Sequence, residues 1–253
     1  MNFFVDEFTW SYSRIQAYET CKNMFYLNYI KEQKKNKVDN FFAQFGKYSH
    51  QILELYAQKK ISILDLKKYY IKNYKKFIKI KVPPNKYVDL NKKYFNQGLE
   101  YFGDFAGYDN YKIVGVEENI YFNIEKYKFR AIVDLIVKDK NDNIIIIDHK
   151  TKGKMSKKDK EKMLYQLYLY AMAIYSKYGE YPKKLTFNMC RMNEVFEEEF
   201  KIEKIDEVKD WVINSIQKIK SESEWTAKPN WFFCSFICDQ RRNCRDFNNM
   251  MNT

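Results

Sequence analysis

The stretch Asn143-Ile-Ile-Ile-Ile-Asp-His-Lys-Thr151 places four consecutive isoleucines directly before Asp148, His149 and Lys150. A short run of β-branched residues predicts a strand that is buried on both faces. Because side chains alternate along a strand, Asp148 and Lys150 point to one face and His149 points to the other. The end of this strand therefore brings together a carboxylate, which can hold a metal ion, and an ammonium group, which can address a phosphate or a water molecule.

The residues on either side of this strand predict an α/β core. Four segments after it follow the pattern of helices or strands: a helix at about 158–178, strands at 185–190 and 194–202, and a last helix at about 205–223. Before the strand, alternating residues at 112–124 and 127–139 complete a three-stranded meander, with a turn at Lys140–Asn143. Strands framed by helices make an α/β core.

No linker rich in Pro, Gly or Ser divides the 253 residues, so we expect one domain over residues 1–253. The first hundred residues have helical patterns. The first predicted helix follows Trp10, has Ser11 or Ser13 as its cap and carries Cys21. Residues 42–60 and two Lys/Tyr-rich stretches up to about residue 103 repeat the period, with a break at Pro83-Pro84. The expected parts are a helical lobe at 1–110, an α/β core at 111–225 and a cysteine tail at 226–253.

Three of the five cysteines lie close together as Cys234-x3-Cys238-x5-Cys244, and Cys21 lies near the start of the chain. Thiolates at such spacing can bind one metal centre, and the distant fourth ligand would tie the two chain ends together. Disulfides are the alternative, but the opening MNFFVDEFTW lacks the pattern of a secretory signal, which favours a reducing cytoplasm. The fifth cysteine, Cys190, ends an apolar strand and is expected to be a buried free thiol.

The composition argues against a membrane-spanning protein and favours a polyanionic partner. Apolar residues make up 45% of the chain, but no uninterrupted stretch approaches the roughly twenty that a membrane span requires. The 45 Lys and Arg against 33 Asp and Glu leave a net charge of +12, which indicates nucleic acid ahead of an anionic membrane surface. The many Tyr and Phe side chains suit base stacking, although most are expected to form the core.

Three further motifs supply polar groups. Asp134 lies within the apolar strand segment 132–136, where an unpaired charge is costly and a bound metal would explain it. Gly46-x3-His50 and Gln166-x3-Tyr170 lie on predicted helices, and the i, i+4 spacing puts the second pair on one helix face. Taken singly, these motifs are more typical of an acid at a strand end, of helix packing and of neighbours on a helix surface, respectively; Asp134 and Asp148 together favour the metal.

A dense basic run follows the isoleucine strand and consists of Lys150, Lys152, Lys154, Lys157, Lys158, Lys160 and Lys162. Next to a metal site this run indicates a track for phosphates, with a solvated helix face as the alternative. Glu54, four residues after His50, is either a further metal ligand or part of an exposed helix face.

The motifs taken in order resemble the RecB-like branch of the PD-(D/E)XK nuclease superfamily: Cys21, Gly46-x3-His50, Asp134, Asp148-x-Lys150, Gln166-x3-Tyr170, then Cys234, Cys238 and Cys244. They are most similar to the iron–sulfur members, which are CRISPR-associated RecB-like exonucleases and the nuclease domains of bacterial helicase–nucleases. Two positions depart from the usual pattern. Lys22 replaces a proline, and three residues rather than two separate Cys234 from Cys238.

The resemblance implies a restriction-endonuclease-like core with a mixed central sheet, a helical N-terminal lobe and a cysteine-anchored C-terminal tail. It implies that Mn²⁺ or Mg²⁺ is bound by His50, Asp134, Asp148 and the carbonyl of His149, and a histidine ligand favours manganese. Lys150 would orient the attacking water, supported by Gln166 and Tyr170. The four motif cysteines would hold a structural [4Fe-4S] cluster, with zinc as the alternative.

These expectations define a metal-dependent DNA exonuclease that hydrolyses phosphodiester bonds from single-stranded ends, with endonuclease activity left open. One alternative is a catalytically silent module that binds DNA ends. Another is an accessory that trims DNA for protein partners in recombination, integration or CRISPR adaptation. The presence of Asp134, Asp148 and Lys150 together argues against the silent module, because binding alone does not need them.

Overall fold

The structure is a computed structural model that describes residues 7–83, 86–153 and 156–251. The first half of the chain is helical: α1 (Tyr12–Thr20), α2 (Lys22–Phe25) with a π-helical turn (Tyr26–Ile30), α3 (Phe41–Ala57), a 3-10 turn (Ile63–Asp65), α4 (Leu66–Phe77) and α5 (Leu90–Asp104). Ser11 caps α1 by accepting the Arg14 N–H, as one of the two predicted caps. The predicted helices of this region are confirmed.

The second half contains both strands and helices: β1 (Lys112–Ile124), β2 (Tyr127–Lys138), β3 (Ile144–Lys150), α6 (Lys157–Tyr178), β4 (Lys184–Met189), β5 (Glu194–Glu199), α7 (Lys204–Ser221), α8 (Trp231–Phe236), a 3-10 turn (Arg241–Asn243) and α9 (Arg245–Met251). Among the helices of the described ranges, none combines the length and the apolar character that a membrane span requires.

The five strands form one mixed sheet in the order β1-β2-β3-β4-β5. Strands β3 and β4 are parallel, and the other neighbours are antiparallel. A parallel pair needs a crossover connection, which α6 supplies between β3 and β4. The predicted meander and the α/β fold with a mixed central sheet are therefore confirmed.

Strand β3 is buried because both faces of the sheet are covered. Ile144 and Ile146 pack into the core that contains residues of α6 and α7. Ile145 and Ile147 pack into a second core, with Ala57 of α3. A third, mostly aromatic core lies among α3, α4 and α5. The run of isoleucines thus has the two-sided burial that the sequence predicts.

The prediction that Cys21 lies on the first helix is wrong. Cys21 separates α1 from α2 with an extended backbone, at φ −161° and ψ 114°. Its side chain is buried, and two residues later Asn23 donates a hydrogen bond to the sulfur of Cys244 in the C-terminal tail. The helical run is interrupted because residue 21 packs against the tail, a contact that local periodicity does not contain. The tail also forms the unpredicted α8 and α9, which are too short to show a clear period.

Gly98 on α5 permits a close approach between α5 and Tyr70 of α4, because an added Cβ would overlap the Tyr70 ring and hydroxyl. We expect Gly98→Ala to destabilise the fold by about 1 to 3 kcal/mol in spite of the better helix propensity of alanine. Gly103→Ala on the same helix is the control, because its Cβ would meet only the flexible Lys67 side chain. Urea unfolding of both variants measures the difference, and equal stability would contradict the packing argument.

Candidate active site

Strands β2 and β3 separate where the predicted acids lie. Their regular pairing runs as far as Leu135 opposite Ile147. One residue further, Asp134 Oδ2 accepts the backbone N–H of His149 at 2.7 Å and so takes the place of a strand carbonyl. Asp134 and Asp148 are only 8% and 1% exposed. The two carboxylates that the sequence singled out therefore lie together, nearly buried, at the end of the β2–β3 ladder.

A chain of polar contacts links Asp148 to α6. Lys150 Nζ lies 2.7 Å from Asp148 Oδ2 and donates a hydrogen bond to Gln166 Oε1 at 2.7 Å. Gln166 Nε2 donates in turn to Tyr170 Oη at 2.6 Å. Gln166 and Tyr170 share one face of α6, as their spacing predicts. The structure thus brings these four predicted residues together, and the Lys150 ammonium is held between a carboxylate and an amide.

A second group of possible metal ligands consists of His50, Glu117 and Asp134, whose ligand atoms lie within 4.8 Å of one another. His50 Nδ1 is 3.6 Å from Asp134 Oδ2 and 3.9 Å from Glu117 Oε1. Asp148 Oδ2 is close to Lys150, yet within the described residues it is a buried oxygen that accepts no hydrogen bond of regular geometry. Carboxylates and an imidazole are the ligands that manganese and similar divalent ions take. The residues present therefore fit a divalent cation.

The sequence reasoning missed Glu117, which reaches this group through an irregularity in β1. Its φ of 49° lies in the left-handed region that residues other than glycine seldom adopt. The residues before and after Glu117 form regular cross-strand pairs with the residues on either side of Asp134, but these two acids do not pair regularly. The register of β1 against β2 also shifts between Ile113 and Gly115, and Gly115 inside a strand pattern was the sequence signal for an irregular strand here.

The acidic cluster is unfavourable without a compensating cation. Burial, together with the negative charge of Asp148, raises the pKa of Asp134 to about 7. Burial opposes protonation of His50, but Glu117 and the two aspartates outweigh it and raise the pKa of His50. Both groups thus hold a proton more tightly than usual. A divalent cation would replace those protons and relieve the repulsion between the carboxylates.

The His149 side chain lies on the opposite face of the sheet, as the alternation predicts. Its ring nitrogens lie 3.3 Å from Tyr108 Oη and 3.1 Å from Asn188 Nδ2. Burial, followed by the nearby positive charges of His50 and Lys150, holds the pKa of His149 well below its usual range. The imidazole is therefore neutral, and its ring lies edge-on to the His50 ring with 5.8 Å between the centroids. A ligand role for its carbonyl stays a prediction.

The cysteines of the tail pack beside the first two helices. Cys21, Cys238 and Cys244 are buried, Cys234 is half-buried, and all four thiols are free. Burial raises the pKa of the Cys238 thiol to about 12, and the neighbouring Asp239, Cys21 and Cys234 add to this shift. Two cysteines from opposite ends of the chain are thus close enough to interact electrostatically. Thiols in this setting ionise readily only beside a positive centre.

The remaining predicted residues have ordinary surroundings. Lys152 pairs with Asp159 and Lys160 with Glu198, whereas Lys157 and Lys162 are exposed; Lys154 and the Lys158 side chain lie outside the described residues. Glu54 accepts a hydrogen bond from Gln58 on the same helix. A Cβ on Gly46 would lie 3.4 Å from Thr151 Oγ1, which explains the small residue there. Cys190 is a buried free thiol, as predicted.

Neighbouring strands of the mixed sheet thus present two acids and a lysine to one site. Residues 9–245 match the sequence profile of the PD-(D/E)XK nuclease superfamily. The match covers nearly the whole chain, so this protein belongs to that superfamily. Its members use divalent metals, in agreement with the cluster of His50, Glu117 and Asp134.

Comparison with solved structures agrees with this fold. A protein of Eubacterium rectale named "Putative exonuclease" superposes with a TM-score of 0.50 at 12% identity, covering 94% of this chain and 88% of that one. The match to the structure of SSO0001 covers 79% of this chain and 96% of that one at 15% identity, but its TM-score of 0.36 is too low to support a shared fold. The sequence matches no curated protein at a significant level. At such low identity the first likeness supports the fold alone.

Metal affinity at this site should rise with pH up to about 7 and level off above it. The proton on Asp134, whose pKa is raised to about 7, competes with the cation, and so does a proton on His50. Titration calorimetry with Mn²⁺ between about pH 5.5 and pH 8 measures this dependence. Asp134→Asn should bind weakly at every pH, whereas Glu54→Gln, on the same helix as His50, should behave as the wild type. A flat profile for the wild type would contradict the assignment.

Proposed function

We propose that this protein is a metal-dependent deoxyribonuclease of the RecB-like branch, which removes nucleotides from single-stranded DNA ends. The observation that carries the proposal is the Lys150 ammonium, held at 2.7 Å from Asp148 and hydrogen-bonded to Gln166. An ammonium fixed beside two buried acids has no structural purpose that an apolar pair would not serve better. It does have a clear purpose in phosphodiester hydrolysis.

The site residues divide the chemistry among them. A divalent metal held by His50, Asp134, Asp148 and Glu117, with the His149 carbonyl, would polarise the scissile phosphate and lower the pKa of the attacking water. Lys150 orients that water and stabilises the charge that develops on the phosphate oxygens. Gln166 fixes the Lys150 ammonium, and Tyr170 fixes Gln166. The lysine is thereby positioned before the substrate arrives.

The depth of the acids supports a single-stranded end as the substrate. Asp134 and Asp148 are nearly buried, so we expect the phosphate to approach closely the partly exposed His50 and Glu117 beside them. A flexible strand end can do so, whereas the backbone of a rigid duplex cannot without being separated. The net charge of +12 favours association with a polyanion of this kind. The accessory reading, in which protein partners supply the DNA end in recombination or CRISPR adaptation, uses the same chemistry.

We also propose that Cys21, Cys234, Cys238 and Cys244 hold a [4Fe-4S] cluster that fastens the tail to the first helices. In support of this proposal, Cys21, Cys238 and Cys244 are buried, and Cys21 and Cys234 are near enough to Cys238 to raise the pKa of its thiol. The Asn23 amide donates to Cys244 Sγ at 3.3 Å, which suits a sulfur that carries negative charge. Such a centre requires reduced thiols and therefore fits a cytoplasmic location.

Cleavage assays on the wild type, Asp148→Asn and Lys150→Ala test the enzymatic function. In Mn²⁺ or Mg²⁺ the wild type should shorten end-labelled single-stranded DNA and leave a single-stranded circle intact. Lys150→Ala should lose about 10²- to 10³-fold in rate but keep metal and DNA binding, because its interaction is made mainly in the transition state. Asp148→Asn should lose both metal binding and cleavage. Lys140→Ala, in the exposed turn after β2, is the matched control with full activity.

The competing binding module predicts a different outcome. If the wild type binds DNA ends but leaves them intact in both metals, and Lys150→Ala binds as the wild type does, the enzymatic proposal is wrong. If the wild type cleaves the single-stranded circle, which has no ends, the protein is an endonuclease, and only the exonuclease part of the proposal is wrong.

Metal analysis tests the cluster. The purified protein should be brown and contain about four iron atoms per chain. Cys238→Ser should bleach the protein and make it prone to aggregation, because the tail loses its anchor. Cys190→Ser, which changes the buried cysteine outside the set, should keep the colour. A colourless wild type with stoichiometric zinc would replace the cluster with the zinc alternative.

A further inference from the structure

Arg191 lies at the same edge of the sheet as the proposed active site. It follows β4, the parallel neighbour of β3, whose carboxyl end carries Lys150. The N–H of Cys190 donates to Lys150 O at 2.9 Å, and Arg191 Nη1 donates to Thr151 O at 3.4 Å. In a parallel pair both carboxyl ends meet at one edge, with strands about 4.8 Å apart. Arg191 is therefore one step along the sheet from the Lys150 strand.

The guanidinium of Arg191 has only neutral partners. It lies over the Tyr94 ring at 3.5 Å, and its Nε donates to Gln97 Oε1 at 3.0 Å. Throughout residues 7–83, 86–153 and 156–251, no carboxylate lies within ion-pair distance of it. The neighbouring lysines differ, because Lys150 pairs with Asp148 and Lys152 with Asp159.

A half-buried cation without an anion is unfavourable in the free protein. Burial lowers the pKa of Arg191, although the group stays charged because arginine titrates far above neutral pH. Five N–H donors are available on a guanidinium, and Gln97 and Thr151 use two of them. Gly153, in the loop after β3, also lies beside the guanidinium, because a Cβ added there would be 3.4 Å from Arg191 Nη1. Since glycine has no side chain, space stays open beside the N–H groups that Gln97 and Thr151 do not use.

We propose that Arg191 binds a backbone phosphate of the DNA strand next to the one that is cleaved. This inference rests on the proposed function and names a substrate-binding residue of the same site. Tyr94 and Gln97 hold the guanidinium in place, so little side-chain entropy is lost when the phosphate arrives. A guanidinium is also the group best matched to two phosphate oxygens.

A purely structural role would give a different result. In that case Arg191 only fastens α5 to the loop after β3, and its loss affects stability without regard to the DNA. A test must therefore report on one phosphate at a time. Neutral methylphosphonate linkages, placed singly along an oligonucleotide, remove one phosphate charge and leave the bases unchanged.

The experiment measures binding of such single-stranded oligonucleotides in Ca²⁺ to the wild type, Arg191→Gln, Arg191→Lys and Arg130→Gln. Arg130 is the matched control, because it is exposed, donates its Nε to Asn119 Oδ1 and lies over the Tyr121 ring. We expect the wild type to lose about 10- to 100-fold in affinity at one linkage beside the scissile one. Arg191→Gln should bind all oligonucleotides more weakly and show no further loss at that linkage. Arg130→Gln should keep the wild-type profile.

The outcomes separate the two proposals. If the wild type cleaves DNA but Arg191→Gln keeps the wild-type linkage profile, the Arg191 inference alone is overturned. A wild type that binds no DNA overturns both. If Arg191→Gln does not fold, Arg191→Lys provides the test. Lysine keeps the positive charge but lacks the planar guanidinium that binds two phosphate oxygens, so its loss of affinity at that linkage should be smaller than that of the wild type. An unchanged loss overturns the inference. A wild type with no sensitive linkage overturns it as well.

Discussion

The side-by-side burial of Asp134 and Asp148 is the constraint on which the rest of the site depends. Two nearly buried carboxylates repel each other and lose hydration, so each neighbouring group has to compensate for them. The His149 N–H donates a hydrogen bond to Asp134, and the Lys150 ammonium forms an ion pair with Asp148. The first contact requires β2 and β3 to separate, and the second requires α6 to supply Gln166. A bound divalent cation would complete the compensation, which explains why chemistry and fold stability share the same residues.

The two faces of β3 have different tasks. On one face, Lys150 joins Asp148 to Gln166 of α6, and these are the groups to which we assign the chemistry. On the other, His149 contacts Tyr108 and Asn188 within a buried polar network. That network fixes the backbone from which the acid and the lysine project, and burial keeps the imidazole neutral. The rigidity of the strand end thus comes from the face that does not carry the chemistry, as in other sites where supporting contacts hold the reacting groups in place.

Hydrogen bonds hold the C-terminal tail to the first part of the chain. Gln240 is fully buried and donates to Asn28 Oδ1 at 2.8 Å and to the Gln33 carbonyl at 2.9 Å. Asn40 caps α3 and also donates to the Ile237 carbonyl at 2.9 Å. Since α3 carries His50, the tail contacts the same helix that supplies one of the possible metal ligands. A change in the tail that moves Ile237 would therefore reach the candidate site through α3.

The sequence by itself determined the elements and most of the site. Four isoleucines before Asp148 predicted a strand buried on both faces, and the i, i+4 spacing predicted that Gln166 and Tyr170 share one helix face, because period and register are local properties. That these two residues support Lys150 was expected only from the family resemblance. Only the tertiary structure decided the places of Glu117, Cys21 and Arg191. Glu117 depends on the left-handed backbone that interrupts its pairing with Asp134. Cys21 depends on a helix break beside a tail more than two hundred residues away, and Arg191 on the parallel pairing of β3 with β4. Contacts between distant segments leave no periodic trace in the chain, so they could be seen only once the strands and helices had been packed together.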